Sequence, residues 1–189
     1  MFRTIAVALS IALLAFVAGC SSSPSSSAAA GGTSTATARV AASPSASATC
    51  PAKSTKKAAK TLFVVDVGVS IGAFKKWIYS PWKAGAFNKG TKGRIKAMIK
   101  AAVAGAFVIN RLNAAKVNAQ SDPLLCKLTI APIKKVTSAL QGLVGKAKTG
   151  RLSPDDVSGA SGSLDQLQSA SSGAGAPVKE QSASIPGLG

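Results

Sequence analysis

The chain has 189 residues, with 23 Lys/Arg against 6 Asp/Glu, no histidine and three cysteines, for a net charge of +17. That length allows one modest domain plus linkers. The missing histidine removes the commonest acid–base group and metal ligand, and a balance this basic points to an anionic partner rather than an acidic-site enzyme.

Arg3 is followed by a fourteen-residue apolar run, residues 5–18, interrupted only by Ser10. This is the layout of a secretory signal and is shorter than the roughly 20 residues a bilayer span needs. Val17-Ala18-Gly19-Cys20 resembles the lipobox of bacterial lipoproteins, with Val17 where leucine is commoner. The resemblance implies that residues 1–19 are removed, that Cys20 is lipidated, and that the chain is extracytoplasmic, anchored by lipid to the outer face of the cell membrane. Two acyl chains suffice physically, because each buried CH₂ contributes about 0.8 kcal/mol.

Residues 20–49 are almost entirely Ser, Ala, Thr, Gly and Pro, with Arg39 as their one charge. Such a segment cannot bury enough apolar surface to order itself, so it is expected to be a disordered tether. Cys50 and Cys126 then stand 76 positions apart. In an oxidising compartment a disulfide between them is favoured over two buried thiols, and its loop closure contributes about 4.5 kcal/mol in the chain-entropy model.

The first helix carries Phe63, Val67, Ile71, Phe74 and Ile78 at spacings of four, four, three and four. Val64, Val65 and Val69 make its other faces apolar, which predicts a central position. It is expected to end before Pro81, because proline disfavours helical geometry at the preceding residue. A loop over residues 80–93 leads into a second helix, from 91 to about 118. There Ile95, Met98, Ile99, Ala102, Ala106, Ile109 and Leu112 share one face and Lys92, Lys96 and Lys100 another. Gly68 and Gly72 form a small-residue ridge suited to Ala97, Ala101 and Gly105, predicting an antiparallel hairpin.

Cys126 falls in a short helix after Asp122-Pro123. Pro132 is expected to open a third main helix through Ile133, Val136, Leu140, Leu143 and Ala147, with Gly150 beyond its end. Ser153-Pro154-Asp155-Asp156 is a helix start with a capping hydroxyl and carboxylates at the positive dipole end. The fourth helix, with Val157, Ala160, Leu164 and Leu167, precedes a tail over 176–189 that is expected to be disordered. The fold class is therefore all-α: a small bundle of about four helices with a central antiparallel hairpin, spanning residues 50–175.

Little in this domain can do covalent chemistry. Residues 50–151 hold two carboxylates, Asp66 and Asp122, at a spacing that suggests no paired acid and base. No serine sits in a nucleophile-elbow context, no phosphate-binding loop is present, and neither a metal site nor a cofactor is expected. The sequence argues against an enzyme.

Charge is the stronger signal. Residues 50–151 contain 20 Lys/Arg and two Asp, a net +18; the remainder holds three basic and four acidic residues, restoring the chain total of +17. The densest stretch comprises Lys75, Lys76, Trp77, Tyr79, Trp82, Lys83, Lys89, Lys92, Arg94 and Lys96. Aromatics interleaved with lysines suit a membrane interface, an acidic wall polymer or single-stranded nucleic acid. Packing of the hairpin end explains the three aromatics equally well, but not the charge. Residues 76–87 resemble a segment of uncharacterised secreted all-helical proteins of actinobacteria, a likeness over roughly residues 60–175 that implies an all-helical domain and no activity.

The leading expectation is a non-enzymatic envelope lipoprotein that binds anionic lipid headgroups or acidic wall polymer. The alternatives are a membrane-active hairpin inserting residues 62–74 and 101–109, and surface nucleic-acid capture, which no recognition motif supports. A protein partner is a further possibility.

Overall fold

The computed structural model describes residues 49–188, so residues 1–19, Cys20 and most of the expected tether lie outside the described residues. Four long helices make the fold: α1 (Ala59–Phe74), α3 (Arg94–Ala119), α4 (Pro123–Lys148) and α5 (Pro154–Gly173), with a single turn α2 (Ser80–Lys83) between the first two. Among the described residues there is no strand. Each long helix runs antiparallel to the next. Asp66, midway along α1, meets Asn118 at the end of α3, while Ile78, beyond the end of α1, reaches Gly105 midway along α3. Lys146 near the end of α4 meets Asp156 at the start of α5.

The core follows the sequence periodicity for α1, α4 and α5. Phe63, Val67, Ile71 and Phe74 are buried, as are Ile133, Val136, Leu140 and Leu143, and Val157, Ala160, Leu164 and Leu167. The α5 start is a capping box. The Ser153 hydroxyl accepts from the Asp156 backbone N–H, and the Asp156 carboxylate accepts from the Ser153 N–H at 2.9 Å. The disulfide between Cys50 and Cys126 is formed, with the Cα atoms 5.6 Å apart. Next to it Ser54 donates to Asp122, and the Thr55 N–H donates to the Ser121 carbonyl. Together these fix the chain leading into α1 against the α3–α4 turn.

Four expectations need correction. The first concerns Pro81, which does not end the helix. Residues Lys75–Tyr79 form a π-helical turn in which the Ser80 N–H donates to the Lys75 carbonyl, and Ser80 keeps helical angles. The wider turn makes room for the proline ring, which sits in the first turn of α2.

Pro132 likewise opens nothing. It lies inside α4, which starts at Pro123 with Asp122 as its cap, accepting from the Leu124 and Leu125 N–H groups at 3.0 and 3.1 Å. The bond Pro132 cannot make falls at Leu128, on the exposed side of the helix, where water can solvate the carbonyl.

The third correction is the rotation of α3. Its buried line is Met98, Ala101, Ala102, Ala104, Gly105, Val108, Leu112 and Ala115, whereas Ile95 and Ile99 point outward. α3 packs between α1 and α4, and small residues permit the closest approach to both. A Cβ at Gly105 would stand 2.5 Å from Val144 of α4.

The fourth concerns residues 174–188, which are not a free tail. They form an extended strap running along α1, with Ala174, Ala176, Val178, Ala183 and Ile185 turned inward. The Gln181 N–H donates to the Gly68 carbonyl at 3.1 Å, and Gln168 of α5 donates to the Val178 carbonyl at 2.8 Å. Gly68 and Gly72 therefore receive the strap, not α3. A methyl on Gly68 would stand 2.6 Å from the Lys179 carbonyl oxygen, and one on Gly72 would overlap the Gln181 carbonyl.

Candidate functional site

The antiparallel order gathers the C-terminal ends of α1 and α4, the α2 turn and the N-terminal ends of α3 and α5 at one end of the bundle. Gly93, in left-handed geometry at φ 81°, turns the chain from the α2–α3 loop into α3. The basic and aromatic residues singled out by sequence all lie at this end, but in different roles.

Two are committed to the fold. Lys75 pairs with Glu180 of the strap at 2.6 Å, and the hydrogen bond and charge of that carboxylate hold the ammonium above its ordinary pKa. Arg94 donates from Nε to the Phe87 carbonyl at 2.9 Å and from Nη2 to the Gly150 carbonyl at 2.7 Å, tying the α2–α3 loop to the α4–α5 turn.

The three aromatics are half-buried against the core. Two ammonium groups approach the Trp77 ring, Lys76 at 4.9 Å and Lys100 at 5.1 Å from its centre. Its indole N–H is one of two buried side-chain polar atoms among the described residues that have no hydrogen-bond partner. The Tyr79 and Trp82 rings are 5.4 Å apart, tilted by 55°, with Lys83 6.0 Å from the Tyr79 ring centre. Lys76, Lys83, Lys89, Lys92 and Lys96 are exposed.

Sequence reasoning missed what lies beside them. Ile95, Ile99 and Val103 follow one another at helical spacing along α3 and are 73%, 60% and 42% exposed. Grooves flank this ridge on both sides. One, of about 680 Å³, runs between α3 and the end of α4 and is lined by Met98, Ala102, Ala106 and Ala147, with Arg94 and Lys148. The other, of about 960 Å³, lies between α3 and the strap and includes Lys96, Lys100, Pro186 and Leu188. A signal was present: α3 has more apolar positions than one buried face can hold.

The two carboxylates considered for catalysis serve the fold. Asp66 accepts from Asn118 at 3.1 Å and pairs with Arg111 at 3.5 Å, while Lys56 donates to Asn118 at 2.8 Å. Asp122 caps α4. Burial pushes its carboxyl upward, but hydrogen bonds from Leu125 and Ser54, the charge of Lys60 and a hydrogen bond from Leu124 outweigh this and hold it below the ordinary value. Among the described residues no group of three or more His, Cys, Asp or Glu is placed to hold a metal ion. The surface can therefore attract anions through its ammonium groups and take apolar contact through the isoleucine ridge. No known protein family, characterised protein or solved structure matches the chain.

Proposed function

We propose that this chain is a non-enzymatic envelope lipoprotein, held by Cys20, whose helical domain docks on anionic lipid through the N-terminal half of α3. The observation that carries this reading is the exposure of Ile95 and Ile99 beside Lys96 and Lys148, which line the flanking grooves, with Lys92 one turn before Ile95. Isoleucines that far out of the core give up apolar transfer energy unless something covers them, and the surrounding cations favour a negatively charged cover. Sinking both into the headgroup boundary recovers roughly 3 kcal/mol, and each lysine near an anionic surface adds about 1 kcal/mol.

Acidic wall polymer and nucleic acid would engage the lysines but gain little from the ridge, so they rank lower. Insertion of residues 62–74 and 101–109 would require breaking the core, since Phe63, Val67, Ile71, Phe74, Ala101, Ala104 and Val108 are all buried in it. Among the described residues no helix is long and apolar enough to cross a membrane.

The test is co-sedimentation of the full chain carrying Cys20→Ser with anionic and neutral vesicles across a salt series. Residues 5–18 contribute equally to every variant, so differences between variants report on the domain. The paired change Ile95→Ser and Ile99→Ser should weaken binding to anionic vesicles at all salt concentrations. The set Lys89→Gln, Lys92→Gln and Lys96→Gln should weaken binding and reduce its salt dependence. Equal binding by all variants refutes the reading, and loss of vesicle binding to competing wall polymer would transfer it to the polymer.

A further inference from the structure

We infer that the groove between α3 and α4 holds one acyl chain of an anionic lipid drawn from the bilayer. This deepens the docking reading above and rests on it: the ridge reaches the headgroup level, and the groove beside it takes a chain.

The argument starts from the shape. The groove of about 680 Å³ lies within the usual range for small-molecule sites, roughly 300–1,000 Å³. Its length follows from the helix. Arg94 and Ala106, the first and last α3 residues along it, are twelve positions apart, a rise of about 18 Å and the reach of an extended chain of about 14 carbons. The floor is Met98, Ala102 and Ala147, all buried and apolar, and Ile99 and Val103 form an outer wall. Methionine in the floor adapts to a chain that has no fixed shape.

Charge decides the occupant. The two side-chain charges lining the groove are both cationic, Arg94 and Lys148, and no carboxylate lines it. Because α3 begins where α4 ends, both cations lie at the same end, and the far end at Val103 and Ala106 is apolar. Arg94 is held in place by its bonds to the Phe87 and Gly150 carbonyls, whereas Lys148 is exposed and can follow a headgroup. One anionic end and one long apolar end is the complement of this groove. A polyanion would leave the apolar part uncovered, and a neutral apolar ligand would leave Lys148 without an anionic partner.

Photo-crosslinking tests the inference directly. The full chain carrying Cys20→Ser is mixed with vesicles containing an anionic phospholipid whose acyl chain bears a diazirine, irradiated, digested and mapped by mass spectrometry. A second arm presents a free diazirine fatty acid without vesicles. Label is expected from the vesicle lipid on residues 98–106 of α3 and on the end of α4. In Ala106→Trp, where an exposed small residue becomes a plug for the groove, that label should fall by about tenfold, equivalent to about 1.4 kcal/mol. Lys148→Glu should lower it too. Binding of Ala106→Trp to the vesicles themselves should persist, because the lysines are untouched.

Salt-sensitive vesicle binding with label spread over other helices, or label unchanged in Ala106→Trp, overturns the groove and leaves docking standing. Label from the free fatty acid but not from vesicle lipid overturns the bilayer source. Absence of vesicle binding overturns both.

Discussion

Replacing Gly72 with alanine tests whether the strap is part of the fold. In an open helix position alanine is favoured over glycine by about 1 kcal/mol. At Gly72 the new methyl would overlap the Gln181 carbonyl, which is backbone and cannot rotate aside. The strap must lift, losing the bond from the Gln181 N–H to the Gly68 carbonyl, about 1 kcal/mol, and the burial of Ile185, about 2 kcal/mol. Less the helix gain, the net loss is about 2 kcal/mol at most, since freed strap residues recover conformational entropy. For a domain of this size that lowers Tm by about 6 °C. Gly159→Ala in α5 is the control. Nothing stands within 4 Å of a Cβ there, so the same change should raise Tm by about 3 °C. Thermal unfolding by circular dichroism reads the stability, and limited trypsin digestion at Lys179 reads the strap. A Gly72→Ala protein as stable as the parent, with Lys179 no more readily cut, would refute this account of the strap.

Two further outcomes follow from the interior contacts. Burial raises the Asp156 carboxyl, but hydrogen bonds from Lys146 and Ser153 outweigh it and hold the group below its ordinary value, as happens at Asp122. A carboxylate with a depressed folded-state pKa contributes stability that is present above its unfolded pKa and is lost as pH falls through the folded one. With no histidine in the chain, unfolding free energy should stay flat between about pH 5 and 8 and fall below about pH 4 in a denaturant titration. Asp156→Asn should reduce that acid loss. Reduction of the disulfide between Cys50 and Cys126 should lower stability by up to about 4.5 kcal/mol, measured as a shift in denaturant midpoint with and without reductant.

The sequence made the helices legible wherever one large-residue face repeats, as in Ile133, Val136, Leu140 and Leu143, and wherever a cap is spelled out locally, as at Ser153. Local rules misled where tertiary packing overrode them. Pro81 and Pro132 are both helix breakers by propensity, yet one is absorbed by a π-helical turn and the other leaves its unmatched carbonyl at Leu128, on an exposed part of α4. The strap was illegible because its inward residues are small, chiefly alanine. The strap backbone at Lys179 and Gln181 lies on Gly68 and Gly72 of α1, a seat that exists only once the chain has folded. The lysine concentration of the candidate site could be counted from the sequence. The surplus of apolar positions on α3 was also visible, but which of them stay exposed was not, because that choice depends on how closely α1 and α4 approach it.

The disulfide has a mechanical consequence. Tension on the chain before Cys50 passes through the sulfur bridge into α4 at Cys126. The intervening residues, which include α1 and α3, form a covalently closed loop and cannot be drawn out by a pull on the two ends of the domain. Such a pull would peel away the strap and unwind α5 and the rest of α4 first. The ridge of Ile95, Ile99 and Val103 lies inside the closed loop. A contact made through it is spared from extension, while the groove beside it loses its second wall under the same load.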